Sequence, residues 1–178
     1  MPREPARQTS PPRSPSRVRF PVALDIPSLI DAYMETSETE LSREEVVTVL
    51  DNWRAALHAN GESDVELAAP FQRHFTVRGT GVPANFCLAI AGDEVKVFKF
   101  NPRNGDHPFD CRRGQIRGHV ADWPMKSVKV TSVDAGKHQL NSVLEVDADG
   151  KGPTEIPCRA PRLARNPATA VMLSALGG

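Results

Sequence analysis

Between Lys96 and Arg117 the sequence sets six cations, Lys96, Lys99, Arg103, Arg112, Arg113 and Arg117, against only Asp106 and Asp110. Guanidinium forks and ammonium groups in that number suit phosphate or carboxylate oxygens, and Phe109 offers a flat face on which a base can stack or which can enter a membrane surface. The functional reading is a site for an anionic ligand, either nucleic acid or a lipid headgroup. The competing reading is that acidic residues elsewhere in the chain, or on a second copy, neutralise this surface. In an extended segment Lys96 shares a face with Phe98 and Phe100 while Lys99 points to the other, so these two cations need not act together.

The remaining chemistry-bearing residues form weaker patterns. His107, Cys111 and His119 lack the spacing of a zinc site, and a Cys111 nucleophile with a His119 base would be short of an oxyanion site. Asp147 and Asp149 ahead of Gly150 are explained by hairpin turn chemistry. Gly79-Thr80-Gly81 lacks the further glycines or the Lys-Ser/Thr pair of a phosphate loop and reads as a turn. The run LSREEVVTVLDNW superficially resembles the first helix of an EF-hand, but no loop of alternating acidic ligands follows it. Cys87, Cys111 and Cys158 are widely spaced and odd in number, which fits free thiols. No catalytic residue, metal ligand or cofactor is therefore assigned, and the reading is non-enzymatic.

A chain of 178 residues has room for one domain with a substantial core plus appendages. Its 39% hydrophobic and 25% charged residues are those of a globular protein. The net charge of zero conceals a segregation. Residues 1–20 hold five Arg against one Glu, residues 21–70 two Arg against eleven acids, and residues 71–178 fifteen Lys and Arg against ten acids, giving +4, −9 and +5. The first piece, rich in Pro, Ser and Arg, has too few apolar residues to fold and reads as a disordered basic tail with Ser14-Pro15 as a phosphorylation candidate. No stretch approaches the roughly 20 apolar residues of a membrane span and the start lacks the apolar core of a secretion signal, so a cytoplasmic location is expected.

The elements that must position these residues fall into two textures. In the acidic segment, Asp25 or Pro27 starts a short helix through Leu29, Ile30 and Tyr33, and a polar stretch from Glu35 to Glu40 interrupts it. Ser42 and Glu45 then make a capping box for a second helix whose Val46, Leu50, Trp53 and Leu57 line one face, with Gly61 as its stop. From about residue 72 the period becomes extended. Strands are predicted over Arg73–Arg78, Phe86–Ala91, Glu94–Phe100, Gln115–Ala121, Lys126–Asp134, Gln139–Val146 and Thr154–Cys158. Gly92-Asp93 and Asp147–Gly150 are hairpin turns. Apolar residues of both parities around Val97-Phe98 call for a bulge or cover on both faces. Trp123-Pro124 is placed at the start of the Lys126 strand as a core anchor. A last helix has Asn166 as N-cap, Pro167 at its first position, an apolar run through Val171, Met172 and Leu176, and Gly177 as stop.

The hairpin FCLAIAGDEVKVFKF, the later strands VKVTSVD and SVLEVDADGKGPTEIPC and the closing helix ATAVMLSAL follow one another in an order that resembles a bacterial pleckstrin-homology-like domain over about residues 73–176. The resemblance implies an α+β fold: a small antiparallel β-barrel or sandwich of about seven strands closed by a C-terminal helix, preceded here by the acidic helical segment. The implied partner is a protein segment added along a sheet edge or held beside the C-terminal helix. The phosphoinositide site common in that family flanks the loop between the first two strands; here that loop, GTGVPAN, has no Lys or Arg. The resulting reading is a protein-binding or scaffolding module in which the acidic segment docks a partner or covers the basic surface, with self-association compatible with it. The alternative is a nucleic-acid-binding regulator using the basic loop 96–117 and the Arg-rich tail.

Overall fold

The structure is a computed structural model that describes residues 23–75, 78, 80–102, 114–135, 139–161 and 166–177. The predicted tail, and Arg103, His107, Phe109, Cys111, Arg112 and Arg113 of the basic loop, lie outside the described residues.

The first helix, α1, runs over Ile26–Thr36 with Asp25 as N-cap, its carboxylate accepting from the Ser28 backbone N–H. The second, α2, covers Arg43–His58 and starts with the predicted capping box: Glu45 N–H donates to the Ser42 hydroxyl and Ser42 N–H donates to the Glu45 carboxylate. Its apolar face, Val46, Leu50, Trp53 and Leu57, is buried. Ser42→Ala is expected to lose about 1 kcal/mol of stability, visible as a lower urea midpoint with an unchanged slope.

Seven strands follow: β1 Leu67–Arg73, β2 Asn85–Ala91, β3 Glu94–Pro102, β4 Gly114–Pro124, β5 Val128–Ala135, β6 Gln139–Val146 and β7 Thr154–Pro161, with a single 3-10 turn, Met125–Ser127, between β4 and β5. The closing helix α3 covers Pro167–Gly177. All strand pairs are antiparallel in one sheet of order β4-β3-β2-β1-β7-β6-β5. The strands at opposite ends of that order, β4 and β5, are joined by only three residues, a span of at most about 14 Å, so the sheet must bend until its two edges approach each other at that end.

Register explains how the core is divided. Leu67, Ala69 and Phe71 of β1 oppose Ile90, Leu88 and Phe86 of β2, and the Phe71 and Phe86 rings stack at 5.6 Å. This face continues through Val95 and Val97, and through Trp123 opposite Val95. On the other arm Leu140, Leu144, Val146, Ile156, Cys158 and Ala160 are buried on one face, with Val128 opposite Val146. The reverse face of β1–β3 carries small residues, Ala68, Pro70, Cys87 and Ala89, alongside Phe98 and Phe100, and all are buried. Small residues there let α2 lie close, and Trp53 meets Phe100 edge to face at 5.2 Å. The reverse face of β5–β7 carries Lys129, Glu145 and Glu155 and is more open to solvent.

The first strand is a correction. It was predicted at Arg73–Arg78 and lies at Leu67–Arg73, so the division expected between residues 70 and 71 falls inside β1. Pro70 and two alanines read as weak strand formers, yet Pro70 has a structural reason. Arg73 N–H donates to Ala84 O, so alternate positions turn toward β2 and Pro70 turns away from it. Among the described residues β1 pairs with β7 only at Gln72 and Arg73, which leaves the missing N–H of Pro70 without consequence. Its carbonyl accepts the buried Thr169 hydroxyl of α3 at 2.7 Å. A second correction concerns Trp123 and Pro124, which end β4 and do not begin β5. The irregularity predicted at Val97-Phe98 is present as two register shifts in the β3–β4 ladder.

Helix α3 is buried over Pro167–Leu173 and again at Leu176. It packs on β1 and β5 and touches both α1 and α2, so a helix with no polar face is accounted for by neighbours on several sides. Asn166 accepts from Thr169 N–H as the predicted N-cap. Ile30, Tyr33, Trp53 and Leu57 belong to the same core as the strand residues; the acidic segment is built into the domain.

Candidate functional site

Of the six predicted cations, three have described positions: Lys96 and Arg117 both lie beside Glu62, and Lys99 is apart from them. Lys96 lies on the α2 side of β3, where its ammonium bonds Glu62 at 3.1 Å; both side chains are about one-quarter exposed. That hydrogen bond, opposed by partial burial and assisted by the charges of Glu62, Asp122 and Glu94, raises the lysine pKa above its usual value. Glu62 comes from the turn after α2, so part of the acidic segment does neutralise part of the basic surface within one chain. Lys99 is exposed on the opposite face of β3, as the alternation predicts. Arg117 is exposed on β4, where the ladder is irregular.

Arg117 lies on a polar depression of about 350 Å³ with Asn60, Glu62, Phe98, Ile116 and His119 around it. His119 Nε2 contacts the Asp122 carboxylate at 2.7 Å, and its ring edge meets Phe98 at 5.5 Å. Positive and negative groups are mixed here, which matches no single anion or cation. The other sequence features resolve into structure. Asp147 accepts from Gly152 N–H in its hairpin turn, and Thr80 accepts from Val82 N–H. Cys87 and Cys158 are buried thiols, and burial pushes Cys158 up to about 12, far from a reactive thiolate. Among the described residues no three His, Cys, Asp or Glu side chains are grouped to hold a metal ion, and no helix is long and apolar enough to cross a membrane.

A second site was not singled out from the sequence. The free side of β5, the end of α1 and the outer side of α3 enclose a groove of about 390 Å³. Val130 and Val133 of β5 with Ala170 and Leu173 of α3 give it an apolar floor. Tyr33, Thr36 and Ser37 line it from α1, Thr131 and Ser132 from β5, and Ser174 from α3. The C-terminal turn of α3 lies close to β5: a Cβ at Gly177 would meet Val130 Cβ at 3.7 Å. A register shift between Val130 and Ser132 leaves Thr131 out of the β6 pairing, while its hydroxyl donates to Val143 O. Among the described residues no strand pairs with β5 on its outer side.

Val133 is 48% exposed, one of two large hydrophobics that are so open among the described residues; the other is Phe75. The signal available in the sequence was indirect. An α3 that is apolar all round must be enclosed by other elements, and a polar α1–α2 connection beside a Val- and Thr-rich strand marks one rim. The three elements are too far apart in the chain for spacing to unite them.

No family model, no curated protein and no solved structure matches this chain.

Proposed function

We propose that this protein is a non-enzymatic binding module with a pleckstrin-homology-like fold, and that it takes an extended segment of a partner protein along the outer side of β5. The observation that carries this reading is the free β5 edge beside the apolar floor of Val130, Val133, Ala170 and Leu173. An added strand would satisfy the unpaired backbone groups of β5, and its alternate side chains would drop toward α3. The bulge at Thr131 and the charge of Lys129, which is tied to Glu145 at 2.9 Å, restrain indiscriminate edge pairing.

The acidic segment supports this assignment by a different route from the one expected of a removable cover. Its Tyr33, Thr36 and Ser37 form one wall of the groove while Ile30 and Trp53 lie in the core. The alternative, nucleic-acid binding through 96–117, has less support, because Lys96 is already paired with Glu62.

Peptides selected from a random extended library on the full-length protein are expected to shift the NMR amide signals of Val130–Val133 and Leu173–Gly177. Val133→Lys should weaken them at least about tenfold while changing stability by no more than about 0.5 kcal/mol. Peptides that shift β4 and leave β5 untouched would overturn the assignment. So would binding to anionic vesicles or nucleic acid that persists at near-physiological salt and disappears in Arg112→Glu/Arg113→Glu.

A further inference from the structure

Lys129, Val130, Thr131, Ser132, Val133 and Asp134 run as cation, valine, hydroxyl, hydroxyl, valine and anion, so the strand read backwards is its own chemical complement. An uninterrupted strand could not use this symmetry, because residues an odd number of positions apart point to opposite faces. The bulge changes that. Val130 opposes Leu144, Ser132 opposes Val143, and Thr131 is the extra residue between them, so the alternation slips by one in the middle of the segment. Val130 and Val133 consequently share one face, where both line the groove. Lys129, opposite Glu145, and Asp134, opposite Asn141, share the far face, and both are exposed.

The backbone has the same symmetry. Asp147 N–H donates to Ser127 O, which by alternation turns Lys129 toward β6 as well, while Val128 N–H bonds Met125 O instead. Val130 therefore presents its N–H and C=O to the free side. Beyond the bulge β6 keeps its own alternation: Glu145, Val143 and Asn141 turn to β5 and Ser142 turns to β7, so Val133, opposite Ser142, also presents its groups outward.

From this arrangement, and resting on the reading of β5 as a docking edge, we propose that the segment it takes is β5 of a second copy of this chain, paired antiparallel about a two-fold axis between Thr131 and Ser132. In that register each Val130 exchanges both backbone hydrogen bonds with Val133 of the second copy, and the valines of the two strands form one apolar row on the groove face. On the far face each Lys129 lies opposite Asp134 of the second copy, at the closer, non-hydrogen-bonded spacing. Lys129 already bonds its own Glu145 at 2.9 Å, so the row across the joined sheets alternates in sign. A slip of one residue either way would set valine against the charged face and part both ion pairs. The bulge disfavours a regular strand, yet it fits an edge that carries the same bulge. The interface is isologous, so the dimer is closed and uses up both β5 edges.

Sedimentation equilibrium of the full-length protein tests this. A monomer–dimer equilibrium is expected between about 1 μM and about 1 mM, with the Val130 and Val133 amides gaining protection from hydrogen exchange as the dimer fills and the Lys129 amide unchanged. Asp134→Lys and Lys129→Asp each set like charges opposite one another at both contacts, and each should weaken dimerisation at least about fivefold. Mixed in equal amounts, the two variants bring opposite charges together again and should associate at least about fivefold more tightly than either alone, a recovery that misfolding could not produce. A dimer indifferent to both charge reversals would overturn the inference. So would one that protects β4 or α2 amides and spares Val130 and Val133, or a monomer at every concentration. The edge reading is decided separately, by whether peptides selected from the random library shift the amides of Val130–Val133.

Discussion

Trp53→Ala is expected to destabilise the protein by about 3–5 kcal/mol, enough to unfold much of it near physiological temperature. The indole is 1% exposed, meets Phe100 of β3 edge to face, and lies in a core shared with both arms of the sheet. Removing it forfeits the transfer free energy of a large ring and leaves a cavity that α2 and β3 can close only by moving together. Because the cavity lies between a helix of the acidic segment and the sheet, the effect should appear in every probe at once. Circular dichroism of the strands and fluorescence of the remaining Trp123 should report one transition with one midpoint. Two separate transitions, with the strands unaffected, would show that the helices form a detachable layer.

The second large effect is expected at Met172→Ala, which should cost about 2–5 kcal/mol in urea denaturation. Met172 is fully buried at the middle of α3, and α3 touches β1, β5, α1 and α2. Such a position cannot relax toward solvent, so the cost should lie toward the upper part of that range. Met172→Leu, which conserves volume, should cost under about 1.5 kcal/mol. Near-equal losses for the two variants would mean that the side chain's volume is not what holds α3 in place.

What was legible in the sequence was what neighbouring residues dictate to one another. The capping box at Ser42 and Glu45, the face from Val46 to Leu57, and the hairpin turn at Gly92 all follow from side chains within a few positions, and the structure has them. So does the separation of Lys96 from Lys99, since strand alternation alone decides it. The first strand was misplaced because Ala68 and Pro70 serve a requirement set elsewhere: close helix packing and a carbonyl for Thr169, 99 positions away. The Glu62 partner of Lys96 and the groove beside β5 were hidden for the same reason. Each is an encounter between segments whose separation along the chain carries no periodicity.

The narrow union of β1 with β7 has a dynamic consequence. The strands fold as two meanders of local hairpins, β1–β4 and β5–β7, and the backbone seam between them has paired positions only at Gln72–Arg159 and Arg73–Cys158 among the described residues. His74 N–H adds one bond to Pro157 O, and Arg159 Nε adds a side-chain bond to Gln72 Oε1. A seam of this width can part without breaking either meander, so its opening should be a subglobal event, less costly than global unfolding. Native-state hydrogen exchange is expected to show the His74 amide exchanging at lower opening free energy than the amides of Leu88 or Leu144, with a smaller dependence on urea. The molecule would then behave as two stiff leaves on a short spine, with the helices as the clasp that keeps them shut.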